Sequence, residues 1–310
     1  MASMSEPKNR INGENLNPKK ILCVGEVLWD MLPTGPKAGG APMNVALHLK
    51  KFGFNSYFAG RIGNDKLGAD LRDFLERQGL DTNLLQVDPL LPTSTVMVCL
   101  GANNEVKFEI VDQVAWDRLE PVAELKEAAL EASAIIYGTL ASRHPYTRET
   151  ILSLLNSKAV KLIDVNLRPP FNSRDVAEQL LIKADIAKLN DDELRFIAGW
   201  YNIKHEEKEL VAWFAEKYGC GMVCVTRGAN GALIYDHGSL FEHEGYKVKV
   251  VDTVGSGDAF LAGLLSKYLA GETIGNSLDF ACAAGAFVAT REGATPGYKI
   301  EDFNELIKER

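Results

Sequence analysis

The chain has 310 residues, 46% hydrophobic and 25% charged, a globular composition with enough apolar residues to bury a sizeable core. Its formal net charge is −8 and it has no long Lys/Arg run, which excludes a general nucleic-acid or membrane-surface binder and confines any anion binding to a local site. No apolar run reaches the ~18 residues of a membrane span, and the polar start MASMSEPKNRINGENLNPKK lacks the apolar stretch of a secretory signal.

Residues 1–18 are expected to be disordered and outside the fold. ILCVGEVLWDML (21–32) reads as a buried strand that runs out to a polar end. NVALHLKKFG (44–53) has helical spacing and a terminating glycine. SYFAGRIG (56–63) is a strand and KLGADLRDFLERQG (66–79) a helix, so strand–helix alternation, the sign of parallel βαβ units, is established early. The rhythm breaks at TSTVMVCLGANNEVKFEIV (93–111), a hairpin around a Gly-Ala-Asn-Asn turn. Alternation then resumes: helix 121–131, strand 134–138, helix 145–156, strand 160–166, helix 173–183, strand 185–190, helices 191–199 and 206–218, and strand 221–226. GALIYD (231–236) and the strand-like pair SLFEHEG/YKVKVVD follow, and helices at 258–270, 276–291 and 301–310 close the chain. One doubly wound α/β domain over 19–310, with a β insertion formed from about 33–42 and 91–118, fits this order.

Cys23, Cys99, Cys220, Cys224 and Cys282 all lie in apolar surroundings. The C-x3-C spacing of Cys220 and Cys224 has no second Cys/His pair to complete a zinc site, so the cysteines read as reduced, buried thiols of a cytoplasmic protein.

The chemistry concentrates in VDTVGSGDAF (251–260). A Walker loop needs a Gly-Lys-Ser/Thr that the chain lacks, a dinucleotide G-x-G-x-x-G fails at Phe260, and a nucleophile elbow fails at Val254. Phe260, Leu261, Leu264, Leu265, Tyr268 and Leu269 form a helical stripe, so Gly255-Ser256-Gly257 sits at a helix N-terminus, where unpaired N–H groups and the positive dipole end bind anions. A carboxylate in that first turn repels phosphate. Asp258 is therefore either a helix cap or a base for a hydroxyl attacking phosphorus.

DTVGSGD (252–258) resembles the D-T-x-G-x-G-D signature of the ribokinase-like (pfkB) carbohydrate kinases, and further motifs in the same order extend the resemblance from about residue 20 to the end. It implies a three-layer α/β/α fold with a doubly wound, mostly parallel sheet and a small β lid. It implies ATP as donor, Asp258 as catalytic base, and Gly255, Ser256 and Gly257 as the anion hole, with Gly257 also beside the nucleotide. GPKAGGAPMN (35–44) resembles the family's G-G-x-x-x-N motif, which places Gly39, Gly40 and Asn44 at the sugar together with Asp30, five residues after Gly25. GRIGNDKLG (60–68) resembles a further signature and reads as structural. AKLNDDEL (187–194) resembles N-x-x-E, implying Asn190 and Glu193 as water-mediated Mg²⁺ ligands with Asn190 near the nucleotide; the same residues make a helix-capping pair. VTRGANG (225–231) resembles the nucleotide turn, with Thr226, Gly228 and Gly231 near the nucleotide; Arg227 receives no role. VATREGATPG (288–297) resembles the monovalent-cation region, implying K⁺ at Asp252, Val254, Val288, Arg291 and Gly293.

DVNLRPP (164–170), with Asp164, Asn166 and Arg168, and the start GEVLWDMLP look most like fructokinases, with Arg168 reaching the sugar or a phosphate. The expected activity is phosphorylation of a sugar primary hydroxyl, fructose by resemblance. Ribose, 2-keto-3-deoxygluconate or a nucleoside stays open as acceptor, as does a non-catalytic sugar- or nucleotide-binding regulator. A homodimer through the lid is expected, because exposed lid strands leave edges to cover.

Overall fold

The computed structural model describes residues 19–32, 35–100 and 106–308. The expected disordered segment 1–18, two residues of the 33–42 segment and the Gly-Ala-Asn-Asn turn lie outside the described residues. The chain opens with β1 (Lys20–Val24), β2 (Leu28–Leu32), β3 (Gly35–Gly39), α1 (Ala41–Lys51), β4 (Asn55–Gly63), α2 (Lys66–Arg77) and β5 (Leu85–Asp88). β6 (Ser94–Leu100) and β7 (Val106–Ile110) make the expected hairpin. Then come α3 (Ala123–Glu131), β8 (Ala134–Gly138), α4 (Pro145–Leu154), β9 (Val160–Asp164), α5 (Arg174–Leu181) and β10 (Ile186–Asn190). The last part holds α6 (Asp191–Gly199), α7 (Glu207–Tyr218), β11 (Met222–Thr226), β12 (Ala232–Asp236), β13 (Ser239–His243), α8 (Ser256–Leu269), α9 (Ile274–Ala289) and α10 (Ile300–Lys308).

Nine strands form one sheet in the order β13-β12-β11-β10-β9-β8-β1-β4-β5. Neighbours from β11 to β5 are parallel, whereas β12 and β13 are antiparallel. A parallel sheet is buried on both faces, and the strands are accordingly apolar at successive positions. Leu22 and Val24 join the core on the side of α3–α7, while Ile21 and Cys23 join the core formed with α1, α2, α8 and α9. The ribokinase-like three-layer α/β/α arrangement expected from the sequence is present. α10 adds Phe303 to Phe280 and Phe287 of α9.

A second, four-stranded sheet has the order β3-β2-β6-β7. It is tied to the large domain at both ends of the β6–β7 hairpin. Before β6, Asp65 accepts the N–H and the hydroxyl of Thr93 (2.7 Å each) while capping α2 through the Gly68 N–H (2.7 Å), so GRIGNDKLG is indeed a structural motif. After β7, the buried Arg143 guanidinium donates to both Asp117 oxygens (2.7 and 2.8 Å) and to the Val111 carbonyl (2.8 Å), and stacks over Trp116 and Phe171.

GPKAG, inside the segment assigned to the β insertion, is strand β3, held in register by β2 with Asp30 opposite Lys37 and Leu28 opposite Gly39. Two readings of the sequence change. The single strand 21–32 is two strands in different sheets: the chain leaves the large sheet at Gly25, where a Cβ would lie 2.6 Å from Pro42 Cγ. YKVKVVD is not a strand. The N–H groups of Val251 and Asp252 both donate to the Ala289 carbonyl at the end of α9 instead of extending the sheet beyond β13.

Arg143→Met leaves Asp117 a buried carboxylate without its counter-charge, and such a loss typically costs ~3–5 kcal/mol. Urea unfolding of that variant should show a lower midpoint with an unchanged slope.

Candidate active site

The strands of the large sheet end toward α8, and ligands of open α/β sheets sit beyond those carboxyl ends. Gly255 is the N-cap of α8, at φ 77°, and a Cβ there would lie 2.4 Å from the Ala294 backbone. Glycine is thus required both for the left-handed conformation and for the close approach. The Ser256 N–H donates to the Thr253 carbonyl (3.2 Å). The N–H groups of Gly255, Gly257 and Asp258 have no protein acceptor among the described residues, which leaves them as donors for an anion.

Asp258 is partly exposed, and its Oδ2 accepts the Asn44 side-chain N–H at 2.8 Å. Asn44 is buried on α1, and its own Oδ1 has no partner among the described residues. Burial and the Asp164 carboxylate push the Asp258 pKa up to about 6, against the Lys188 ammonium, the Asn44 hydrogen bond and Arg168. Asp30, on β2, is also raised to about 6 by burial, with Arg168 opposing. Its Oδ2 lies 2.5 Å from where a Gly39 Cβ would be, so a side chain at Gly39 would displace the Asp30 carboxylate. Arg168 is exposed and acts on both carboxylates. Asp30, Gly39, Gly40, Asn44, Arg168 and Asp258 therefore converge on one end of the molecule.

Two buried groups here were missed in the sequence. Glu26 accepts the Ala41 N–H (3.2 Å) with one oxygen, while the other has no partner among the described residues. Burial, together with Asp258, raises its pKa to about 7. A carboxylate directly after the Gly25 break was the available signal. Lys188 is 8% exposed on β10, with its Nζ 3.0 Å from each oxygen of the buried Asp164. Burial opposes its charge, but Asp164, Asp258 and Glu193 prevail and its pKa is raised. The polar residue in the middle of an apolar strand was visible in AKLN.

Asn190 and Glu193 form a reciprocal cap on α6: the Asn190 side chain accepts the Glu193 N–H (2.8 Å) and Glu193 accepts the Asn190 N–H (2.9 Å). The second Glu193 oxygen takes the Leu167 N–H (2.7 Å), and burial raises its pKa. With these bonds made, the pair suits a hydrated cation held through water better than direct ligation. Asp252 stitches two loops, accepting the N–H of Val254 and of Gly293 (3.0 Å each). The Val288 carbonyl takes the Arg291 N–H (2.9 Å). A carboxylate among main-chain carbonyls suits a large, weakly hydrated cation such as K⁺. The Arg291 side chain stacks over Phe287.

Thr226, Gly228 and Gly231 lie at the carboxyl end of β11. A Cβ at Gly231 would come within 1.9 Å of the His243 carbonyl, a structural reason for that glycine. Arg227 is structural too, pairing with Glu207 (3.2 Å) and Glu242 (3.1 Å). A cleft of about 470 Å³ at the opposite ends of β9–β11, lined by Lys158, Asp185, Met222 and His237 among others, holds none of these groups.

Gly255→Ala forces both a strained backbone and a clash with Ala294. It should destabilise the fold by about 1–3 kcal/mol, read as a lower Tm, with loss of nucleotide binding in the part that stays folded.

Residues 23–300 match the family described as pfkB family carbohydrate kinase. The chain is 31% identical to a fructokinase of Klebsiella pneumoniae over 306 residues, covering 91% of this chain and 97% of that one. Among solved structures it is similar to fructokinase with bound ATP from Xylella fastidiosa (TM-score 0.84, 25% identity, 94% of this chain and 99% of that one). It is also similar to fructokinase from Vibrio cholerae O395 in a fructose-, ADP- and calcium-bound form (TM-score 0.81, 25% identity, 94% and 99%). With a doubly wound fold, a glycine turn opening α8 and a carboxylate held in its first turn, the chain belongs to the pfkB family of carbohydrate kinases.

Proposed function

We propose that the protein transfers the γ-phosphoryl group of ATP to a primary hydroxyl of fructose. The observation that carries this reading is Asp258, oriented by Asn44 at 2.8 Å beside the unspent N–H groups of the first turn of α8. Asp258 takes the proton of the sugar hydroxyl, and the oxygen so formed attacks the phosphorus in line with the leaving ADP. The Gly257 and Asp258 N–H groups hold the equatorial oxygens, where charge accumulates. Asn44 Oδ1, Asp30 and Glu26 accept hydroxyls of the sugar. Asn190 and Glu193 would hold Mg²⁺ through water, and the ion supplies positive charge to the phosphate oxygens. Asp252, with the carbonyls of Val254, Val288, Arg291 and Gly293, would hold K⁺ and stiffen the turn before α8. Thr226, Gly228 and Gly231 border the nucleotide.

Charge supports a neutral sugar over a sugar acid. Among the described residues, Glu26, Asp30, Asp164, Glu193 and Asp258 stand against Arg168 and Lys188 in electrostatic reach of one another, so a substrate carboxylate meets net repulsion. The four-stranded sheet carries Asp30 and Gly39 and acts as a lid that excludes water from the transfer. Its edges, β3 and β7, suit pairing in a homodimer. A cytoplasmic location accords with ATP as donor; among the described residues no helix is long and apolar enough to cross a membrane.

Asp258→Asn should lower kcat by about 10²–10⁴-fold while fructose binding and the circular dichroism spectrum persist; unchanged turnover would refute the base assignment. Because the base acts when ionised, kcat/KM should fall as pH drops through about 6. In an ADP-release assay, fructose should exceed ribose, nucleosides and 2-keto-3-deoxygluconate. ADP above background with none of them would favour a non-catalytic regulator.

A further inference from the structure

Lys188 and Asp164 are direct cross-strand partners in the parallel β9–β10 ladder. The period of two places them on one face. Leu162 and Ile186, two residues earlier on each strand, belong to the core formed with α1 and α8, so the pair stands on that same side, one step nearer the carboxyl ends. Its position under α8 is direct: a Cβ on Gly257 would lie 3.2 Å from the Lys188 Nζ. Gly257 is in the helix and, unlike Gly255, has no left-handed φ. Backbone freedom therefore does not account for this glycine; the ammonium lies close enough that a Cβ would press on it. A buried ion pair adds little stability compared with apolar residues of similar size, and the neighbouring position in β11 is Cys224. Packing alone gives no reason for a charge here.

We propose that Lys188 is a positioning residue of the transfer site, a fixed positive charge held by Asp164 beneath Gly257 that lets Asp258 and an incoming phosphoryl group share the first turn of α8. This rests on the assignment of Asp258 and the glycine turn made above. It also resolves a conflict visible in the sequence, a carboxylate placed where phosphate must bind. Two like charges in one helical turn repel, and the helix N-terminus supplies only about half a unit of positive charge. Lys188 adds positive charge from below. At Asp258 the Asp164 carboxylate outweighs it, so the ammonium serves the phosphoryl side of the turn, next to Gly257. The other charged or polar groups that act on Asp258 are Asn44 from α1, Glu26 after β1 and Arg168 after β9.

The test uses Lys188→Met and Asp164→Asn in the full chain, each checked for folding by circular dichroism. Lys188→Met should weaken binding of a non-hydrolysable ATP analogue about tenfold or more while ADP affinity changes less than about twofold, because only the γ-phosphate reaches the turn. Its acid limb of kcat/KM should move to higher pH, since Asp258 loses a favourable neighbour. Asp164→Asn should move that limb to lower pH, since Asp258 loses a repulsive one; a merely structural pair would shift both variants the same way. An unchanged analogue-to-ADP ratio in Lys188→Met overturns the proposal. If Lys188→Met does not fold, the Asp164→Asn limb decides: a downward shift supports the proposal, and no shift or an upward one overturns it. Full activity of Asp258→Asn would instead remove the base assignment beneath it, whereas an inactive Asp258→Asn with unmoved Lys188→Met properties removes the lysine proposal alone.

Discussion

The hydrogen bond from Asn44 to Asp258 joins residues 214 positions apart, and most of the structure around the site serves to make it. It requires α1 and α8 to lie side by side on one face of the sheet, in register to within a few tenths of an ångström. α1 is held for this at both ends. At its start, the Glu26 side chain accepts the Ala41 N–H, and Gly40 lies so close to the Glu26 carbonyl that a Cβ would fall within 2.3 Å of it. At its end, His48 bonds the Tyr298 hydroxyl (2.6 Å) and the Ala294 carbonyl (3.0 Å), while Lys51 donates to the carbonyls of Thr295 and Pro296 (2.8 Å each). Ala294 in turn is the surface against which Gly255 rests. One loop, 293–298, thus sets the height of both helices.

Crowding of carboxylates is the second constraint. Burial raises Glu26 to about 7 and Asp30 and Asp258 to about 6, values at which a small change in neighbours moves a proton. Groups that interact this closely titrate as a set, so the acid limb of activity belongs to the cluster as well as to Asp258. The same raised values make the ionised cluster costly to fold. Each such carboxylate favours the folded state most at low pH and gives up that contribution as pH rises from its unfolded value through its folded one. Lys188 and Arg168 are the counterweights, one buried under the turn and the other exposed beside it.

Much of this was legible in the chain. Alternating strands and helices specify a parallel sheet with helices on both faces, because period 2 and period 3.6 leave different apolar patterns. The glycine turn before the α8 stripe marked an anion site, since a helix N-terminus has donors to spare. What failed to read were segments whose conformation is set by a distant partner. The 33–42 segment reads as part of the β insertion without a strand placed in it, and GPKAG forms that strand because β2 offers it a ladder. LQVD, the short β5, went unread and pairs with β4. YKVKVVD has strand composition and stays irregular because its donors go to Ala289. Arg227, which had no role in the sequence, proved to clamp Glu207 and Glu242.

By itself the sequence determined the layer architecture, the position of the glycine turn and the candidate base, all of which rest on local periodicity and local backbone chemistry. Only the tertiary structure decided which amides of the turn remain unspent, and that Glu26 belongs to the site. It alone also placed the Lys188 ammonium against Gly257. Those facts depend on which strands are neighbours and how closely two helices approach, quantities that contacts between remote residues set and no local pattern records. A lysine and an aspartate 24 positions apart become one ion pair only when β9 and β10 lie side by side.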